Sequence, residues 1–200
     1  NQSTIVPNAS SDVVINGAFP GLRVATQGAS GAIINAANIS GPTPSTGPNT
    51  GITVDTTLNS NSASGSADIV NYGNVSGVTN GIAANTVNGS INIVGRFATL
   101  TGANSYGIFG RASGSGGVNI KTPSGGTINA GLIGIAAFEA QMPTGGAGGN
   151  VTVYNSSSIT SGTNTANLAN SGAAGIRAGI FNNNTSVPNA AITGDVTIEN

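Results

Sequence analysis

In six spaced copies along this chain of 200 residues a glycine is followed by Ile or Leu and then, two positions on, by a small or β-branched residue. The copies are Gly21-Leu22-Arg23-Val24, Gly51-Ile52-Thr53-Val54, Gly81-Ile82-Ala83-Ala84, Gly107-Ile108-Phe109-Gly110, Gly134-Ile135-Ala136-Ala137 and Gly175-Ile176-Arg177-Ala178. Their glycines are separated by 30, 30, 26, 27 and 41 residues. Self-similarity at such a period marks an array of structural units that bury apolar surface only by stacking on one another. It constrains the fold more than any other feature of the chain.

Two further elements recur between these copies. Gly89-Ser90-Ile91-Asn92-Ile93, Gly116-Gly117-Val118-Asn119-Ile120, Gly149-Asn150-Val151-Thr152-Val153 and Gly194-Asp195-Val196-Thr197-Ile198 alternate apolar and polar residues, as a strand with one buried face does. Degenerate copies occupy 31–35 and 67–71. A third element carries one apolar residue: Ile39, Val75, Leu100, Ile128 or Ile159. Gly, Asn, Ser and Thr dominate the remainder, which disfavours helix and brackets short Val/Ile runs as strands. The expected fold is therefore all-β: a single-stranded right-handed parallel β-helix, or solenoid, of about six to seven three-strand coils with loop insertions. The hand follows the general rule for parallel crossovers. At about 4.8 Å per coil the rod is roughly 30 Å long. One β-helical repeat domain is expected over 1–200, as a fragment of a longer chain because 194–200 matches the middle of a repeat. Insertions are expected near 41–49, 139–149, 161–173 and 182–191.

The register assigns sides. Ile52, Ile82, Ile108, Ile135 and Ile176 form one inward column, and Val54, Ala84, Gly110, Ala137 and Ala178 a second. Ile91, Val118, Val151 and Val196 form a third, and Ile93, Ile120, Val153 and Ile198 a fourth. Asn35, Asn71, Asn155 and Asn200 share a corner position, where stacked amides can bond along the axis. Asp55, Asn85 and Arg111 share an outward column. Thr152 and Thr197 share another with Asn119, Asn92 and Asp68, and Asp195 is also expected in the column of Asp68. The aromatic residues Tyr72, Tyr106, Phe109, Phe138 and Tyr154 are expected outward or at corners, either lying under loops or offering exposed faces to sugars or partners.

Units of Gly-Ile-x-Ala, then Gly-Asp-Val-Thr-Ile-x-Asn, then a short Gly/Ser stretch with one Ile resemble the repeats of autotransporter passenger domains. The carriers are 81–84, 107–111, 134–137, 175–178, 149–155 and 194–200. The resemblance covers about 11–200 and is strongest from Gly65 onward; residues 1–50 depart from the pattern. It implies a β-helix displayed on the outer surface of Gram-negative bacteria by a C-terminal membrane barrel, and similar repeats occur in filamentous adhesins.

Composition narrows the chemistry. Charged residues make up 6% of the chain, the net charge is −1, and Cys, His and Trp are absent. Metal sites built on Cys or His, and Ser–His or Cys–His catalysis, are thereby excluded. Five basic residues offer no phosphate-tracking surface, so no nucleic-acid partner is expected. No apolar run approaches the ~20 residues of a membrane-spanning helix. Asp12, Asp55, Asp68, Glu139, Asp195 and Glu199 are scattered in register and form no expected carboxylate pair. No catalytic, cofactor-binding or metal-ligating residue is assigned, and no cofactor is expected. The expected function is non-enzymatic: a surface-displayed or secreted adhesin or spacer, located outside the cell or on the bacterial surface. Its expected partners are host-surface or matrix molecules, glycans or neighbouring copies. The alternatives are a self-assembling extracellular filament subunit and a β-helical polysaccharide lyase or hydrolase, the latter requiring acidic or basic residues clustered in one groove.

Overall fold

The computed structural model describes residues 15–16, 21–40, 50–57, 65–141, 148–164, 172–182 and 194–200. Every regular element among them is a β-strand. The first repeat supplies β1 (Ile15–Asn16), β2 (Leu22–Ala25) and β3 (Gly31–Asn35); the second supplies β4 (Ile39–Ser40), β5 (Ile52–Asp55) and β6 (Ala67–Asn71). The third contains β7 (Val75–Gly77), β8 (Ile82–Thr86) and β9 (Ile91–Gly95); the fourth β10 (Thr99–Gly102), β11 (Tyr106–Ala112) and β12 (Val118–Lys121). The fifth contains β13 (Thr127–Ala130), β14 (Ile133–Gln141) and β15 (Val151–Tyr154); the sixth β16 (Ser158–Thr160), β17 (Ala174–Asn182) and β18 (Val196–Glu199).

Each strand pairs with the third strand before it and the third after it. The result is three six-stranded sheets, β1-β4-β7-β10-β13-β16, β2-β5-β8-β11-β14-β17 and β3-β6-β9-β12-β15-β18. Every named strand pair is parallel. This strand order is consistent with a parallel β-helix. The repeats are spaced as their sequence copies are: Ile52 pairs with Ile82, Ile82 with Ile108, Ile108 with Ile135 and Ile135 with Ile176. The other columns read from the sequence pair in the same way, Val118 with Ile91 and Val151, and Leu100 with Val75 and Ile128.

The alternation of strand side chains does the sorting. In β3 residues 31, 33 and 35 are buried while 32 and 34 are exposed, and β6 and β9 bury the same three positions. The buried residues from all three sheets join in one apolar cluster that includes Ile39, Ile52, Ile69, Ile93, Leu100, Ile108, Ile120 and Ile135, with Ile176 and Ile180 packed against it. The columns through Ile52, Ile82, Ile108 and Ile135 and through Ile91, Val118 and Val151 consist of β-branched residues, which fit that pleated, half-buried surface.

The glycine of the Gly-Ile element has a steric role. A Cβ placed on Gly21, Gly51, Gly81, Gly107 or Gly134 would lie 2.4, 2.3, 2.6, 2.3 or 2.2 Å from a methyl carbon of Ile39, Val75, Leu100, Ile128 or Ile159, respectively. The partner is in each case the single apolar residue of the first-sheet strand in the following repeat. The carbonyl oxygen of the next glycine in the column lies 2.6–2.8 Å from the same point. The first-sheet aliphatic thus occupies the space that a side chain would need where the chain enters the second sheet. None of these glycines has a positive φ, so the demand is for volume and not for backbone freedom.

Two of the expected insertions begin or end differently. The segment expected as a loop from 139 starts as strand, since β14 continues to Gln141. β17 likewise runs to Asn182, the first residue of the last insertion. The remainder of that insertion, the whole of 41–49, 142–147 and 165–171 lie outside the described residues.

Two glycine substitutions isolate the corner contact. Gly107→Ala is expected to cost about 1–3 kcal/mol in urea unfolding, the usual range for overpacking. Gly175 occupies the same column in the last repeat, where an added Cβ meets nothing within 4 Å. Gly175→Ala should therefore fall within about 0.5 kcal/mol of the parent.

Candidate functional site

The polar residues of the interior are used structurally. Asn35 and Asn71 end β3 and β6 and are almost fully buried. The Asn35 amide donates to Asn71 Oδ1 at 2.7 Å and to the Ala37 carbonyl at 2.7 Å, and the Asn71 amide donates to the Gly73 carbonyl at 2.7 Å. Asn155 repeats the pattern, donating to Ser157 O at 2.8 Å and Asn200 Oδ1 at 2.7 Å. Each amide therefore closes the bend after its strand, and those of Asn35 and Asn155 also link to the next repeat. The ladder is broken in its middle. Gly95 pairs with Asn71, and a Cβ there would lie 2.4 Å from the ring of Phe97. The Phe97 ring, 2% exposed, fills the space beside that corner. Thr122 then resumes the polar chain by donating to Asn155 Oδ1 at 2.6 Å.

The acidic residues are dispersed. Asp55 stacks in line with Asn85 and Arg111 on the outward face of the second sheet, as its register requires. Its Oδ1 accepts from the Thr57 amide at 2.9 Å and the Thr57 hydroxyl at 2.7 Å, which closes the turn after β5. In the outward column of the third sheet Asp68 follows Ala32 and is followed by Asn92, Asn119, Thr152 and Thr197. Asp195 is not in that column. Val196 pairs with Val151, so Asp195 falls in line with Asn150, whose Oδ1 accepts its backbone N–H at 3.0 Å. The two residues that separate Asp195 from Thr197 are one full alternation of the strand, which keeps the side but changes the column. Asp12 lies outside the described residues, and among the described residues no group of three or more acidic side chains is placed to hold a metal ion.

Glu139 differs from the other acids. It lies in β14, paired with Ala112 of β11 and Ile180 of β17, on the side of the strand that carries Ile135 and Ala137. It is 0% exposed. Its Oε1 accepts the Gly114 N–H at 3.2 Å, whereas Oε2 is buried without a hydrogen-bond partner. Burial pushes its carboxyl up to about 7, and the Gly114 bond, which favours the charged form, only partly offsets this.

The aromatic residues divide into two groups. Tyr106 and Phe109 stack with centroids 5.0 Å apart, and Phe138 meets Phe109 edge-on at 6.2 Å. With Ala174 they pack on buried Leu132, Ile133 and Ala136, a satellite cluster outside the main core. Arg177 lies 5.8 Å from the Phe138 ring centre. Tyr72 and Tyr154, in contrast, are exposed near the corner after the third sheet, and Arg96 lies 5.7 Å from the Tyr72 ring centre. The outward face of the third sheet also bears Ile34, Val70 and Val94 stacked in one column, ending in Lys121, Tyr154 and Glu199.

This face is neutral over most of its length and carries an amide or hydroxyl group in each of the last four repeats, at Asn92, Asn119, Thr152 and Thr197. Asn119 donates to Asn92 Oδ1 at 3.1 Å, so part of the surface is itself a hydrogen-bonded ladder. Such an array can hydrogen-bond hydroxyl-bearing molecules and offer tyrosine faces for stacking. No family model matches the chain, and no curated protein or solved structure matches it. No helix among the described residues is long and apolar enough to cross a membrane.

The inner and outer amides are expected to respond differently to truncation. Asn71→Ala removes the partner of Asn35 and the bond to Gly73, and should lower stability by about 1–3 kcal/mol in denaturant unfolding. Asn92→Ala, on the outward face, should change it by less than about 0.5 kcal/mol.

Proposed function

We propose that the three sheets are the walls of a right-handed, single-stranded parallel β-helix of six three-strand coils, and that this solenoid is a non-enzymatic adhesin or spacer segment of an autotransporter-like protein at the bacterial cell surface. The observation that carries this reading is the unbroken register: six repeats contribute equivalent residues to every sheet around one apolar core. A rod built in this way gains length in fixed steps of about 4.8 Å without changing its cross-section, which suits a spacer. The resemblance of the repeats to autotransporter passengers supports the surface location. The right hand follows from the twist that parallel crossovers share.

The contact surface in this reading is the outward face of the third sheet with its neighbouring tyrosines, and its ligands are neutral glycans of a host surface or matrix. Neutral hydroxyl-bearing ligands match the Asn and Thr column, and Tyr72 and Tyr154 supply stacking faces at 49% and 39% exposure. Titration of the chain onto immobilised neutral and acidic glycans tests this. Saturable binding to neutral glycans, weakened roughly tenfold or more in a Tyr72→Ala/Tyr154→Ala double variant, is expected from ~1–3 kcal/mol per lost stacking platform, by analogy with base–aromatic stacking. Binding unchanged in the double variant, or confined to acidic glycans, would sink the assigned surface.

A further inference from the structure

Glu139 occupies a column whose other members show what that position requires. In line with it along the second sheet are Thr86 and Ala112 before it and Ile180 after it, with Thr56 one repeat before Thr86. Thr56 and Thr86 are buried, and each hydroxyl donates to a backbone carbonyl at the approach to the third sheet, Thr56 to Gly65 at 2.9 Å and Thr86 to Gly89. The polar side chains at this inner corner are therefore donors. A carboxylate has no proton to donate, whereas a carboxylic acid has one hydroxyl. The buried oxygen of Glu139 that lacks a partner, Oε2, can carry such a proton.

Among the described residues no cation is placed against the Glu139 carboxyl, on which burial and the Gly114 hydrogen bond act. The elements packed against β14 are β11, β12, β13, β15 and β17. Their titratable groups are Tyr106 and Arg111 on β11, Lys121 on β12, Tyr154 on β15 and Arg177 on β17, and β13 has none. Arg111 aligns with Phe138, Lys121 with Tyr154 and Arg177 with Ala136, all positions of opposite parity to Glu139 or to the inward residues of their own strand. Tyr106 belongs to the outer aromatic cluster, and Asp195 just before β18 and Glu199 at its end are exposed. Among the described residues the Gly114 N–H is the one hydrogen-bond donor to the carboxyl, at Oε1, and Oε2 has none.

We propose that Glu139 is a proton-operated latch: with its proton it sits in the inner column as a neutral group, and without it the adjoining ends of β14 and β17 open. Glu139 pairs with Ile180, and two residues on Gln141 pairs with Asn182. The latch does not rest on the adhesin reading. Its pH sense follows from the raised carboxyl. The folded chain holds this proton more tightly than the unfolded chain, so the latch is fully closed below about pH 4.5, weakens as pH rises through about 7 and changes little beyond.

Amide hydrogen exchange of 139–141 and 180–182, compared between the parent and Glu139→Gln from pH 5 to 9, tests the proposal. Taking the ratio of the two proteins at each pH cancels the intrinsic pH dependence of exchange. The ratio is expected to rise by on the order of a hundredfold across this range, each unit of displaced pKa being worth tenfold. Glu139→Thr, which copies Thr56 and Thr86, supplies the same pH-independent reference if the glutamine variant does not fold. A ratio constant within about threefold would overturn the latch, using the tenfold-per-unit scale. An equal rise at 52–55, far along the sheet, would overturn it too, because the opening would then be global. Glycan binding plays no part in this readout, so either proposal can fail while the other stands.

Discussion

The corner between the first and second sheets depends on an absent atom. Where each second-sheet strand begins, the first-sheet aliphatic of the next repeat presses against a glycine Cα, from Gly21 with Ile39 through Gly134 with Ile159. Any Cβ would push the aliphatic out of the core or the strand away from its neighbour's carbonyl. Interiors are too closely packed to absorb either shift. The Gly-Ile spacing that dominates the chain is thus a record of this contact. Its variation in length, from 26 to 41 residues, is accommodated between the strands, while their register is preserved.

Parallel register has a second consequence, for the exterior. Equivalent positions face each other at the strand spacing of about 4.8 Å, so a charge repeated in a column would repel its copies. Asn, Ser and Thr satisfy the same positions without that cost, and the amides gain a bond to the next repeat, as in Asn35 to Asn71, Asn155 to Asn200 and Asn119 to Asn92. The few charges present are separated in register: Asp68 is followed by Asn92, and Arg111 is flanked by Asn85 and Phe138. Low charge, high Asn content and repeat spacing are in this sense one property.

Much of this was legible because columns are visible in a sequence. A residue such as Ile108 can be assigned a side from its copies at Ile82 and Ile135, and the pairing agrees. What escaped were residues that depart from their column. Phe97 has no copy and is inside only because Gly95 vacates the space for its ring, a compensation between two residues that neither shows alone. Glu139 reads as the first polar residue of a loop, since a carboxylate on an inner face violates the ordinary rule that buried charge is costly. Its partners Ala112 and Ile180 share its side, but the strand that aligns them extends past Phe138 into the segment that reads as a loop. Asp195 falls two positions before the column of Asp68 because Val196 pairs with Val151.

Because each strand pairs only with its counterparts one repeat away, every named pairing spans one turn of sequence and none spans the chain. Contacts of that kind make stability local: the loss of one layer removes support from two neighbours and from no others. Ordering should then spread from a nucleus by successive addition, like a zipper, and the two termini should be independent of each other in rate. A pull applied at one end would strip layers in sequence, each giving way at a similar force, so that the molecule lengthens in steps before it fails as a whole.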